Sequence, residues 1–206
     1  MFAVIFEVRP RADRWDDYLA LARMLRPELQ RTEGFLENTR YRSRTRDGVL
    51  LSHSLWRDEK AVIRWRTHPG HFAARGRGRR EILADYRLRV GEVTALLDAG
   101  KLVTLPAHRF DTTEVGEDKA IGFVLGHGVG GPSLPPDTPG DAFDGLVDAA
   151  DTAEMGCYAS LEQAEMSPCS VNTPGRSLVV RVIRDYGRID RREAPQFHPP
   201  AHSGLA

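Results

Sequence analysis

The feature that most constrains the fold is the segment from Leu50 to Arg75, in which a strand leads through a charged turn into a short helix. The strand alternates apolar and small polar residues and ends at Trp56. Trp65 then lies on the helix at helical spacing from other apolar residues. A Pro-Gly pair at Pro69 interrupts that helix, because proline lacks a backbone N–H and clashes with the preceding turn. This order of elements favours a mixed α+β domain.

The first half of the chain predicts the order βαββαβ. Phe2 to Val8 is a short run of β-branched and aromatic residues, which is typical of a strand, and an amphipathic helix follows it. An Asp-Gly turn at Gly48 joins two further strands, Phe35 to Thr45 and Val49 to Trp56. A second helix, which begins at Asp58 or Glu59, and a last strand from Tyr86 to Val93 complete the unit.

Both faces of these strands carry apolar side chains. The first strand places Phe2, Val4, Phe6 and Val8 on one face and Ala3 and Ile5 on the other. A sheet with one face in water would be more polar on that face. We therefore expect helices to cover one face of residues 2–93, and a partner chain or the C-terminal half to cover the other. The sequence thus predicts a homodimer or an internal pseudo-dimer.

The second half is harder to assign. Its pattern predicts strands at Lys101 to Thr112, Ala120 to Gly126 and Arg176 to Asp185, and a helix from Ala142 to Ala153. A stretch rich in glycine and proline separates them and reads as loop. Two interpretations stay open for residues 98–206: a diverged second copy of the first unit, or a large insert before a closing strand.

The opening FAVIFEVRP, together with the segment around Trp56 and Trp65, resembles the antibiotic biosynthesis monooxygenase family. Arg181 to Pro195 also resembles the tail of single-domain members. The resemblance implies an α+β fold, with ferredoxin-like βαββαβ domains whose antiparallel sheets pair as a dimeric α/β barrel. Residues 1–97 would form such a domain, and residues 98–206 a diverged second half, or an insert with a family-like tail.

Charge and cysteine content narrow the choice of partners. The chain has 29 basic and 29 acidic residues, yet residues 1–97 hold 20 basic and 13 acidic ones, so the two halves carry opposite charges. Opposite charges suit halves that attract each other, and the arginines are too scattered for a nucleic-acid interface. No apolar run approaches the ~20 residues of a membrane helix. Cys157 and Cys169 lack metal-binding or redox spacing. We expect a cytoplasmic protein with no nucleic-acid or membrane partner.

The resemblance implies two chemistries. In the quinone-forming branch, which needs no cofactor, the anion of a polycyclic phenol reduces dioxygen directly, and the protein supplies a dry cavity and a group that stabilises the oxyanion. Trp56 and Arg75 match that branch, whereas Ser52 replaces its asparagine and Val62 its tyrosine. The haem-degrading branch matches at Trp65. Its histidine ligand is replaced by Arg75, and a guanidinium cannot ligate iron.

We therefore expect a monooxygenase that oxidises a small phenol- or anthrone-like aromatic substrate with dioxygen, without a cofactor or a metal. The alternatives are a non-catalytic ligand-binding or stress-related barrel and a haem-degrading enzyme. Arg75 would hold the substrate anion and His53 would accept its proton. The expected substrate-binding residues are Ser52, Trp56, Trp65 and His71. Both tryptophans also suit a purely packing role.

Overall fold

The computed structural model describes residues 1–98, 101–105, 119–127, 134, 137–166 and 175–195. Its strands are β1 (Phe2–Pro10), β2 (Phe35–Ser43), β3 (Leu50–Trp56), β4 (Leu83–Asp98), β5 (Lys101–Thr104), β6 (Ala120–His127), β7 (Gly140–Gly145), β8 (Asp151–Tyr158) and β9 (Arg176–Gly187). Its α-helices are α1 (Trp15–Arg31), α2 (Glu59–Thr67), α3 (Pro69–Arg77) and α4 (Leu161–Met166). A 3-10 turn precedes α1, and a π-helical turn, Gly78–Ile82, follows α3.

Local sequence signals explain the start of α2 and the end of α1. Asp58 caps α2, since its Oδ1 accepts a hydrogen bond from the backbone N–H of Ala61 at 2.8 Å, which confirms the predicted start of this helix. Gly34, after α1, has φ of +85°. A Cβ there would also lie 2.6 Å from the Cβ of Ala61, so only glycine fits. These two residues fix how α1 and α2 meet the sheet.

The first half has the predicted ferredoxin-like topology. Its strands lie in the order β4-β1-β3-β2, and every pair is antiparallel. The α+β fold class predicted from the sequence is therefore confirmed. β4 is longer than expected and reaches Asp98, beyond the boundary placed after residue 97.

The second half repeats the same strand order. β6 pairs with β8 and β9, and β7 pairs with β8, which gives β7-β8-β6-β9. The helix predicted from Ala142 to Ala153 is wrong, because that stretch contains most of β7 and the start of β8. Alternation explains the difference: Asp141 and Phe143 are buried while Ala142 is less so, and pairing across the ladder overrides local helix propensity. The predicted strand at Lys101 is confirmed as far as Thr104, and the part after residue 105 lies outside the described residues.

The two sheets close into one eight-stranded antiparallel barrel. β2 pairs with β7 and β4 pairs with β9, so each half forms half of the wall, and β5 adds a short hairpin to the end of β4. Apolar side chains from both halves fill the interior, among them Ala3, Ile5, Leu51, Leu55, Ile121, Phe123, Phe143, Met155, Leu178 and Val180. The non-helical face of residues 2–93 is therefore covered by the C-terminal half, as the two-sided strands predict.

The helices pack on the outside of this barrel. α1 and α2 contribute Leu29 and Ala61 to the cluster around Phe2 and Trp56. α4 buries Ala164 against the outer face of the second half. None of the helices in the described part of the chain is long and apolar enough to span a membrane.

Candidate active site

The layer between the first half of the sheet and its helices is unevenly filled. At one end Val8, Leu50 and Ile82 form a buried cluster with Tyr18 of α1, and the cluster of Phe2 and Trp56 closes the other end. Between them lies a strip of side chains on the central strands that keep partial exposure, namely Val4, Phe6, Ser52 and Leu88. Phe6 lies opposite both Ser52 and Leu88 in the ladders. We call this strip of partly exposed side chains the helix-side pocket.

Trp56 lies at the closed end of the pocket and is 1% exposed. Its indole Nε1 donates to the Oγ of Ser54 at 3.0 Å, and its ring meets that of Phe35 edge-on at 5.4 Å. Its surroundings are those of a core residue that supports the pocket from below.

Trp65 carries an aromatic stack above the sheet. The ring of His71 stacks on it at 4.4 Å between centroids, and that of His68 at 5.6 Å. The Nδ1 of His71 lies 2.9 Å from the carbonyl oxygen of Trp65, so the assigned tautomer carries its proton on Nδ1 and leaves Nε2 as an acceptor. Burial, with a smaller effect from the charge of Arg75, lowers the pKa of His71 to about 3. His71 is therefore neutral at physiological pH.

Arg75 lies one helical turn beyond His71 on α3. Its Nη1 donates to the carbonyl oxygen of Arg66 at 3.2 Å, and its guanidinium lies 5.9 Å from the centroid of the Phe72 ring. The side chain is exposed, yet partial desolvation and the nearby charges of Arg66 and Arg191 lower its pKa. Within the described residues no carboxylate lies at ion-pair distance from Arg75. Its remaining donors face no acidic partner there.

Two polar residues of β2 complete the floor, and the sequence did not single them out. The Nδ2 of Asn38 donates to the Oγ of Ser52 at 3.0 Å and to the backbone oxygen of His53 at 2.9 Å. Arg40 lies opposite Ser52 in the ladder. Its Nε is buried without a hydrogen-bond partner among the described residues. Ser52 stands where the resemblance expects an asparagine, and the side-chain amide of Asn38 on the neighbouring strand lies beside it. This contact depends on the register of β2 against β3.

His53 lies on the opposite face of β3, inside the barrel. It is 1% exposed, its ring lies 4.7 Å from that of Phe123, and its Nε2 has no partner within the described part of the chain. Burial, with a smaller effect from Arg176, lowers its pKa to about 3. The structure therefore brings Ser52, Trp65, His71 and Arg75 to the helix side, with Trp56 beneath them, and separates His53 from all of them.

The C-terminal segment after β9 borders the pocket near Arg75. Tyr186 lies opposite Leu88 in the ladder, and the ring of Tyr86 lies 5.9 Å from that of Phe6. Arg191 joins these two tyrosines: its Nη1 donates to the hydroxyl of Tyr86 at 2.7 Å, and its guanidinium lies 5.5 Å from the Tyr186 ring centroid. Tyr86, Tyr186 and Arg191 thus form the rim of the pocket on the side of β4 and β9.

Comparison with known proteins identifies relatives along the whole chain. The sequence model of the antibiotic biosynthesis monooxygenase family matches residues 1–77. The jasmonate monooxygenase ABM of Pyricularia oryzae is 44% identical over 217 residues, which cover 98% of this chain and 100% of that protein.

Solved structures with similarity to this chain include an anthrone oxidase-like protein and the protein Rv0793 of Mycobacterium tuberculosis. The first is 14% identical with a TM-score of 0.39 and covers 95% of this chain and 96% of its own. The second is 19% identical with a TM-score of 0.38 and covers 53% of this chain and 98% of its own.

Proposed function

The chain belongs to the antibiotic biosynthesis monooxygenase family, and we propose that it oxidises a small apolar molecule with dioxygen in the helix-side pocket. The observation that supports this site is the partly exposed strip of Val4, Phe6 and Leu88 on the central strands, between two closed clusters. Apolar side chains on inner strands under helices are normally buried, so their exposure indicates room for an apolar ligand.

The proposed reaction needs no electron donor other than the substrate. A CH2 group that a phenol or a ketone makes acidic loses a proton, and the resulting carbanion gives one electron to dioxygen. The substrate radical and superoxide then combine into a peroxide anion, which takes up a proton and becomes a hydroperoxide. Loss of water from this hydroperoxide leaves a new carbonyl group. One substrate and one O2 thus yield one ketone and one water, as in the oxidation of an anthrone to a quinone.

Two residues have proposed roles in these steps. Arg75 holds the substrate oxyanion, because its donors lack an acidic partner among the described residues and its surroundings are partly desolvated. His71 takes the place that the sequence suggested for His53 as proton acceptor, since its Nε2 is left free by the contact of Nδ1 with Trp65. A base whose pKa is near 3 is weak. It requires a substrate acidified by a neighbouring cation, which Arg75 would provide.

The 44% identical relative adds a second candidate for the substrate. Its name describes it as acting on jasmonate, a cyclopentanone with a carboxylate side chain. Such a ketone also carries acidic CH2 groups, so the same balanced reaction is available to it. We therefore propose two substrate classes for one site: anthrone-like phenols and cyclopentanone acids.

Oxygen consumption tests the site through Arg75. A charge-assisted hydrogen bond is worth about 1.5–3 kcal/mol, so Arg75→Ala is expected to lower kcat/KM for the accepted substrate roughly tenfold to a hundredfold. Arg75→Lys is expected to recover part of the loss, because an ammonium cannot reproduce the planar fork of a guanidinium. The melting temperature is expected to stay within a few degrees of wild type, since the side chain is exposed.

Arg77→Ala is the matched control, because Arg77 lies on the same helix and pairs only loosely with Glu81, at 3.5 Å. Its oxygen consumption should equal that of the wild type. Unchanged turnover in Arg75→Ala, or equal losses in both variants, would remove Arg75 from the site. No oxygen uptake by the wild-type protein with either substrate class would refute the proposed reaction.

A further inference from the structure

Three arginines lie near Tyr186 at the rim of the helix-side pocket: the guanidinium of Arg191 lies 5.5 Å from the centroid of the Tyr186 ring, and Arg75 donates to the carbonyl oxygen of Arg66 at 3.2 Å. Arg66 comes from α2, Arg75 from α3 and Arg191 from the segment after β9. Burial raises the pKa of the Tyr186 hydroxyl, and the positive charges of these three arginines oppose that rise. Since they come from three separate elements, the tertiary structure brings these positive charges together.

Several other arginines of the described ranges are paired with a carboxylate, whereas these three are not. Ion pairs elsewhere include Arg44–Asp144, Arg57–Glu33, Arg87–Asp185 and Arg192–Asp190. Within the described ranges, none of the three rim arginines has a carboxylate within 4.0 Å. Like charges held together without a counter-ion disfavour one another, which is part of why the pKa of Arg75 is lowered. An anionic group placed between them would relieve this repulsion.

The floor of the pocket leads directly to this cluster. Phe6 contacts the ring of Tyr86, whose hydroxyl accepts the hydrogen bond from Arg191. Leu88 lies beside Tyr186 in the ladder. A ligand with its apolar part on Phe6 and Leu88 would therefore present its end to the rim arginines. The matching ligand is an apolar molecule with one terminal anionic group.

We propose that Arg66, Arg75 and Arg191 form a carboxylate receptor that makes the pocket selective for apolar monocarboxylic acids over their neutral analogues. Arg191 is the specificity-determining residue of this receptor, because Tyr86 and Tyr186 fix its guanidinium at the rim. The inference relies on the proposed function only in taking the helix-side pocket as the substrate site. It favours the cyclopentanone acids over the anthrone-like phenols.

Binding under anaerobic conditions tests the receptor without requiring turnover. The ligands are jasmonate, 1-naphthoate and decanoate, each compared with its methyl ester by isothermal titration calorimetry on the full chain. Wild-type protein is expected to bind at least one acid tenfold or more tightly than its ester. Arg191→Gln is expected to weaken that acid roughly tenfold to a hundredfold and to leave the ester unchanged, so the preference disappears. Arg191→Lys should keep part of it.

Arg192→Gln is the matched control, because Arg192 is the next residue, is exposed and is paired with Asp190. It should keep the wild-type preference. The proposal is overturned if no acid is preferred over its ester, or if Arg191→Gln weakens acid and ester equally. Oxygen uptake separates the two proposals: selective binding without uptake refutes only the proposed function, and equal uptake with acid and ester refutes only the receptor.

Discussion

Replacing Arg89 tests whether the stability of the barrel depends on the buried ion pair between Arg89 and Glu7. Arg89 is fully buried, and its Nη2 donates to the Oε2 of Glu7 at 2.5 Å, while Glu7 is 6% exposed. The remaining contacts of Arg89 are weak: Nη1 lies 3.5 Å from the Sγ of Cys157, Nη2 lies 3.4 Å from the Sδ of Met155, and Nε has no partner in the described part of the chain. The pair with Glu7 is thus its main electrostatic contact.

Arg89→Met removes one partner and leaves the carboxylate of Glu7 buried. Breaking a buried pair in this way costs about 3–5 kcal/mol. We expect a cost at the lower end of this range, because the Nη2 of Arg46 also lies 2.5 Å from the Oε1 of Glu7 and still pairs with the Glu7 carboxylate after Arg89 is removed. For a chain of this size 1 kcal/mol corresponds to about 2–4 °C, so the melting temperature should fall by roughly 6–12 °C.

The double variant Glu7→Met, Arg89→Met is the decisive comparison. It removes both buried charges, and Arg46 keeps Asp141 as its partner at 2.7 Å, so most of the lost stability should return. Arg44→Met is the control, since Arg44 and its partner Asp144 are 43% and 53% exposed; it should cost less than about 1 kcal/mol. Calorimetry that finds Arg89→Met within 2 °C of the wild type, or the double variant no better than the single one, would refute this reasoning.

Two further predictions concern acid stability and oligomeric state. His53 has a folded-state pKa of about 3 against an ordinary value of 6.5, so the stability it allows is complete above pH 6.5 and is lost as the pH falls toward 3; at pH 5 the loss is about 2 kcal/mol. Denaturant titrations should show that, between pH 7 and pH 5, His53→Leu loses about 2 kcal/mol less unfolding free energy than the wild type. Equal losses in the two proteins would contradict the lowered pKa of His53. Because the second half covers the inner face of the first, light scattering should give the 23.0 kDa mass of a monomer, and a mass twice as large would show that a further face pairs between chains.

The sequence predicted the first half well, because the apolar periodicity of its strands and helices agrees with the faces that they bury in the structure. The alternation of β1 and β3 was visible, and so were the turn at Gly48 and the cap at Asp58. What it did not reveal was which face of β3 lies inside the barrel, because both faces are apolar. His53 was therefore grouped with Ser52 and Arg75, although adjacent residues of a strand point to opposite sides. Asn38 and Arg40 were missed because their position depends on the register of β2 against β3, and Arg191 was missed because only the pairing of β4 with β9 brings the segment after β9 to the pocket.

The second half contained a repeat signal that local propensity concealed. Tyr158 ends β8 as Trp56 ends β3, and a capping residue follows each after one intervening position. The Oγ of Ser160 accepts from the backbone N–H of Gln163 at 3.2 Å, as Asp58 does from Ala61. Both short helices bury an alanine completely. With the common strand order, these features lead us to propose that residues 98–206 are a diverged second copy of the ferredoxin-like unit in residues 1–97.

Among the described residues of the second half, the outer face has no counterpart of the helix-side pocket. Gly122 and Gly156 face each other on its central strands, at the positions where the first half carries Val4 and Ser54. A Cβ on Gly122 would lie 3.1 Å from the ring of Tyr158, and one on Gly156 would lie 2.9 Å from its hydroxyl oxygen. Tyr158 therefore lies against both glycines, over the part of this face that corresponds to the pocket floor in the first half. The first half thus keeps the open layer with Arg66 and Arg75, while the second half supplies Arg191 and completes the barrel that holds β1, β3 and β4 in place beneath them.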